Sequence, residues 1–72
     1  MSHIFKNNLF NHSQLIGQIF NKSQTDIIAT ITKLEGNTDD MLSQFFIELH
    51  LPLNHETYKI VNSIGSQLKN KE

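Results

Sequence analysis

The 72-residue chain carries six lysines, no arginine, seven acidic residues and no cysteine, for a formal charge of −1. That excludes a disulfide framework and a thiolate metal site, and it leaves little positive charge for a phosphate backbone. A domain of this size buries only about 60% of the surface its unfolded chain exposes, so tight packing or a partner must supply the rest.

The opening residues, Met1-Ser2-His3-Ile4-Phe5-Lys6-Asn7-Asn8, lack the basic head, apolar stretch and small-residue cleavage site of a secretory leader. No apolar run approaches the roughly 18 residues that span a bilayer. The expectation is one helical domain over residues 1–72, cytoplasmic, with no membrane partner.

The first predicted helix covers about 12–21, through Leu15, Ile16, Ile19 and Phe20. Upstream, Ile4, Phe5 and Leu9 would extend its stripe, but Asn7, Asn8 and Asn11 weaken that extension. Residues 1–11 are therefore expected as a flexible arm or a helix extension. The break Asn21-Lys22-Ser23 leads to the clearest segment. Ser23 is a cap with Asp26 three residues on, Ile27, Ile28, Ile31 and Leu34 follow at helical spacing, and Gly36 is placed at C′. The β-branched run Ile27-Ile28-Ala29-Thr30-Ile31-Thr32 favours a strand, but the cap and the period decide for helix.

The third helix starts at Thr38, with Asp39 and Asp40 in its positively polarised first turn. Met41, Leu42, Phe45, Phe46 and Leu49 form a broad apolar stripe, Ile47 falls off it, and Pro52 is expected to end the helix. The fourth helix starts after Asn54 and shows Tyr58, Ile60, Val61, Ile64 and Leu68 on one wide side, interrupted by Gly65. Gly65 costs about 1 kcal/mol relative to alanine unless close packing requires it. The fold expected is all-α, three to four short helices in a small bundle completed by dimerisation.

No motif carries chemistry. His50 and His55 flank Pro52 beside Glu56, but zinc needs three or four ligands at turn or helix spacing, and His3 and His12 do not complete such a set. Asp39 and Asp40 are adjacent and diverge on a helix, whereas paired catalytic carboxylates converge. Gly17, Gly36 and Gly65 are too dispersed for a phosphate loop, and the serines lack a glycine elbow. The expectation is no catalytic residue, no metal and no cofactor. The segments around Gly36 have the length of a helix-turn-helix, yet the would-be recognition helix over 39–50 opens with two aspartates that repel phosphate.

Five phenylalanines are many large rings for so short a chain. One copy is expected to leave some of them uncovered, and an uncovered apolar patch marks an interface. The candidate interface residues are Phe20, Phe45, Phe46, Ile47, Leu49, Tyr58, Ile60 and Ile64.

Residues 26–68 resemble the small enterobacterial connector regulators of the YmgB/AriR type, which serve biofilm formation and acid resistance. The likeness lies in Asp26-Ile27-Ile28-Ala29-Thr30-Ile31-Thr32-Lys33-Leu34, the turn at Gly36, Met41-Leu42 and Phe45-Phe46 through Leu49, and a closing segment from Tyr58 to Leu68. The resemblance implies a cytoplasmic helical homodimer acting by contact on another regulatory protein, with no catalytic residue to carry over. The functional expectation is thus a regulatory protein–protein interaction module that modulates a bacterial signalling or transcription regulator. The alternatives are a DNA-associated regulator, binding nucleic acid directly through lysines gathered by a dimer, and a phage- or plasmid-encoded inhibitor of a host enzyme.

Overall fold

Side-chain caps and periodic apolar positions set the helices. In the computed structural model, which describes residues 2–66, these are α1 (Ser2–Asn11), α2 (Ser13–Phe20), α3 (Gln24–Lys33), α4 (Thr38–Glu48) and α5 (His55–Gly65), with no strand among the described residues. The count is five rather than three to four, because His12 leaves the helical region (φ −115°, ψ 21°) and separates α1 from α2. Leu68, Lys69 and Lys71 lie outside the described residues.

Three caps are made by side chains. Ser23 Oγ accepts the Asp26 N–H at 3.1 Å, and Asn37 Oδ1 accepts the Asp40 N–H at 2.8 Å. At α5, Asn54 Oδ1 accepts the Thr57 N–H at 3.0 Å while Thr57 Oγ1 accepts the Asn54 N–H at 3.1 Å, a reciprocal box. Each such cap contributes about 1 kcal/mol.

Two helix ends differ from expectation. Gly36 is not the C′ residue of α3. The chain turns extended at Leu34 (φ −66°, ψ 137°) and buries that side chain, and Gly36 instead supplies a positive φ of 97° in the turn that delivers the Asn37 cap. Pro52 does not end α4 either. His50 takes φ 54°, its N–H returns to the Ile47 carbonyl at 3.2 Å, and the Leu51 N–H reaches the Phe46 carbonyl at 3.0 Å. This Schellman closure stops the helix before the restriction imposed by Pro52 is felt.

The segment placed between arm and extension is a helix that joins the others. Phe5 and Leu9 of α1 are buried in the core. Lys6 Nζ donates to the carbonyls of Leu34 at 3.0 Å and Thr32 at 3.3 Å, at the C-terminal end of α3 where a cation is favoured. Asn8 Nδ2 donates to the Gly65 carbonyl at 2.8 Å, at the end of α5. The Phe5 ring lies so close over Gly65 that a Cβ there would overlap it. The low helix propensity of Asn8 is thus overridden by a tertiary hydrogen bond that only a short amide of this reach supplies.

Helix α1 packs on α5, α3 and α2, while α3 packs on α2 and α4, and α4 on α5. The core centres on Met41, Leu42, Phe45 and Phe46 of α4, enclosed by Ile27 and Ile31 of α3 and Val61 of α5. The rings of Phe45 and Phe46 meet edge to face at 5.8 Å, as do Phe20 and Phe46 at 6.2 Å, which suits the aromatic quadrupole. One chain therefore covers its rings better than expected. Phe5, Phe45 and Phe46 are buried, and Phe10 and Phe20 pack against the core half-buried. The added wall is α1.

Candidate functional site

Helix α2 carries two apolar pairs at i, i+4 spacing, Leu15/Ile19 and Ile16/Phe20, and a helix can turn only one side to the core. Ile16 is fully buried and Phe20 packs beside it, so Leu15 and Ile19 are left 45% and 44% exposed. Gly17 fixes this orientation: a Cβ there would stand 2.6 Å from the Lys22 carbonyl oxygen, where the chain folds back after Asn21 at φ 59°. Helix α5 divides in the same way. Val61 and Gly65 are buried, whereas Ile60 and Ile64 lie at intermediate exposure on the neighbouring side.

Both helices pack on α1 but hardly on each other. The space between them is an open groove of about 620 Å³ lined by Leu15, Ile19, Ile60 and Ile64, with His55, Glu56, Lys59 and Ser63 along the α5 side. Its floor is aliphatic and its rim holds one carboxylate and one ammonium.

The eight candidate interface residues do not share one surface. Phe45, Phe46 and Leu49 are at most 6% exposed and belong to the core of a single chain, so they present no surface to a partner. Phe20 packs half-buried against that core. Ile47 is 70% exposed on α4, away from the groove lining. Ile60 and Ile64 alone of the eight enter the groove. Leu15 and Ile19, which the sequence places on one apolar stripe with Ile16 and Phe20, complete it. The two offset i, i+4 pairs in eight residues were the signal that one pair had to remain outside.

Tyr58 lines a neighbouring shallow hollow with Leu53, Asn54 and His55. Its hydroxyl donates to Asp39 Oδ1 at 3.0 Å and so pins the start of α4 to α5. This hydrogen bond to the carboxylate, then partial burial, then the Asp39 charge itself hold the phenol above its ordinary value of 10.0.

Among the described side chains, His12, His50 and His55 form no cluster. His12 Nδ1 faces the Asn8 carbonyl at 2.9 Å, His50 lines a cleft beside α3, and His55 sits on the α5 groove rim. Among the described residues no group of three His, Cys, Asp or Glu is close enough to hold a metal ion, and no helix is long and apolar enough to cross a membrane. Of the lysines, Lys6 is bound to backbone carbonyls and Lys33 pairs with Glu48 at 3.4 Å. The start of α4 presents Asp39 and Asp40, so this end carries negative charge where a recognition helix would meet DNA. No family model, no curated protein and no solved structure matches the chain.

Proposed function

We propose that this chain is a non-catalytic, regulatory protein–protein interaction module that pairs with a second copy of itself through the α2–α5 groove. The observation that carries the reading is the groove itself, four aliphatic side chains presented at helical spacing by two helices that do not close on each other. Apolar surface gathered in this way gains roughly 25 cal/mol for each Å² removed from water, and single scattered side chains give no such site.

A second copy is the occupant the rim favours. Glu56 and Lys59 stand on the same edge, so two copies related by a two-fold axis bring two carboxylates to two ammonium groups without a like-charge excess. The resemblance of residues 26–68 to connector regulators supplies the regulatory half of the reading: action by contact on a signalling or transcription regulator, in the cytoplasm. Direct DNA binding finds less support, with Lys6 and Lys33 already engaged and the opening of α4 acidic.

Sedimentation equilibrium at micromolar concentration tests the pairing. The wild-type chain is expected at twice 8.3 kDa. Leu15→Glu places a charge at a position 45% exposed, so it should return the mass to one copy without loss of helicity. A wild-type mass of one copy throughout that range would reject the dimer.

A further inference from the structure

A second concavity, sharing no residue with the groove, opens between α3 and the end of α4. It measures about 280 Å³ and is lined by Lys22, Asp26, Thr30, Lys33, Glu48 and His50, among others. Its chemistry is polar where that of the groove is aliphatic.

Thr30 is the anomaly. It is only 5% exposed, and its hydroxyl has no hydrogen-bond partner among the described residues. The hydroxyl of Thr32, two residues on, shows the ordinary solution by donating to the Ile28 carbonyl at 2.8 Å. A buried hydroxyl without a partner is destabilising, and such groups are usually completed by water, an ion or a ligand.

The charges around Thr30 are balanced but incompletely paired. Lys33 and Glu48 form an ion pair at 3.4 Å, and it is the one ion pair among the described residues. The Lys22 ammonium and the Asp26 carboxylate line the same cleft without a partner among the described residues. His50 is fixed beside them by the backbone closure that ends α4, at φ 54°. A simple anion entering here would meet Asp26 and Glu48, and a simple cation would meet Lys22 and Lys33. A molecule carrying both charges satisfies both sets.

We propose that this cleft binds a small zwitterion of the free amino-acid class. Its carboxylate would lie toward Lys22 and His50 and accept a hydrogen bond from the Thr30 hydroxyl, and its ammonium would lie toward Asp26 and Glu48. The volume admits a molecule of that size. The site stands apart from the α2–α5 groove, so this inference and the proposed pairing can fail separately.

The test is an amide chemical-shift titration of the isotope-labelled full chain with glycine and with L-alanine, using acetate, inorganic phosphate and methylammonium as single-charge controls. Saturable shifts at Thr30, Leu49 and His50 are expected with the amino acids, and none that saturate with the controls. Thr30→Val keeps the shape and removes the unpaired hydroxyl. It should raise the melting temperature and weaken amino-acid binding about tenfold, the usual loss for one hydrogen bond to a charged group. Lys22→Gln and Asp26→Asn should each weaken it by a similar factor with the fold intact. Absence of saturation, an equal response to acetate or phosphate alone, or wild-type affinity in Thr30→Val would each overturn the proposal, leaving Thr30 as a hydroxyl satisfied by water.

Discussion

The two sides of α5 are built from similar residues and have opposite fates. On one side Val61 is fully buried and Gly65 receives the Phe5 ring, with Asn8 closing the end of the helix at 2.8 Å. On the other, Ile60 and Ile64 face a groove whose far wall is Leu15 and Ile19. What separates them is the neighbour. Helix α1 lies directly against the first side, whereas α2 packs on α3 and hardly touches the second. Hydrophobic periodicity marks both sides as apolar, and only the placement of the neighbouring helices decides which one is core.

The largest effect should come from the closed side. Phe5→Ala removes a buried ring and leaves a cavity between α1 and α5, and should cost about 3–5 kcal/mol in urea unfolding. That is a large share of the roughly 5–15 kcal/mol that holds a typical domain. If Phe5→Ala costs as little as an exposed substitution, α1 is not a wall of the core.

Gly65→Ala sharpens the same contrast through its sign. Replacing glycine by alanine inside a helix ordinarily stabilises by up to about 1 kcal/mol. Here the new methyl overlaps the Phe5 ring, so the variant should lose about 1–3 kcal/mol as an overpacked core. In a Phe5→Ala background the same change should recover the ordinary stabilising sign. A double-mutant cycle would measure that coupling directly.

The smallest effect concerns the edge between the two sides, where Tyr58 meets Asp39. The phenol is raised above 10.0 in the folded state, so the contact contributes fully below pH 10.0 and is lost as the pH rises through the higher native value. Tyr58 is the one tyrosine of the chain, which makes its ultraviolet titration unambiguous. Asp39→Asn should move that midpoint back toward the ordinary value. An unmoved midpoint would mean that the hydrogen bond does not form in solution.

Much of the helical framework was legible because it is local. Ser23 with Asp26, the acidic opening at Asp39 and Asp40, and Asn54 before α5 are capping signals that need no tertiary partner. Ile47 off the main stripe was legible for the same reason. The role of residues 2–11 was not. Asn7, Asn8 and Asn11 look unfavourable by propensity, and Lys6 and Asn8 gain their value from carbonyls 26 to 57 residues away. The candidate site was half legible. Ile60 and Ile64 lie where the α5 pattern put them, but Phe45, Phe46 and Leu49 were drawn into the core once α1 supplied a fifth wall. Leu15 and Ile19 were released by the same redistribution.

In the proposed dimer, adjacent residues of α5 serve different ends, Val61 the fold and Ile60 the association. The concentration dependence of the urea-unfolding midpoint tests it most directly in three chains: wild type, Ile60→Glu and Val61→Glu. For the wild type the midpoint should rise with protein concentration, as mass action requires of a dimer. For Ile60→Glu a cooperative transition should persist with a midpoint independent of concentration, and for Val61→Glu the transition should be lost, because a charge would be buried without a partner. Loss of the transition in both variants, or a concentration-independent wild-type midpoint, would contradict the division.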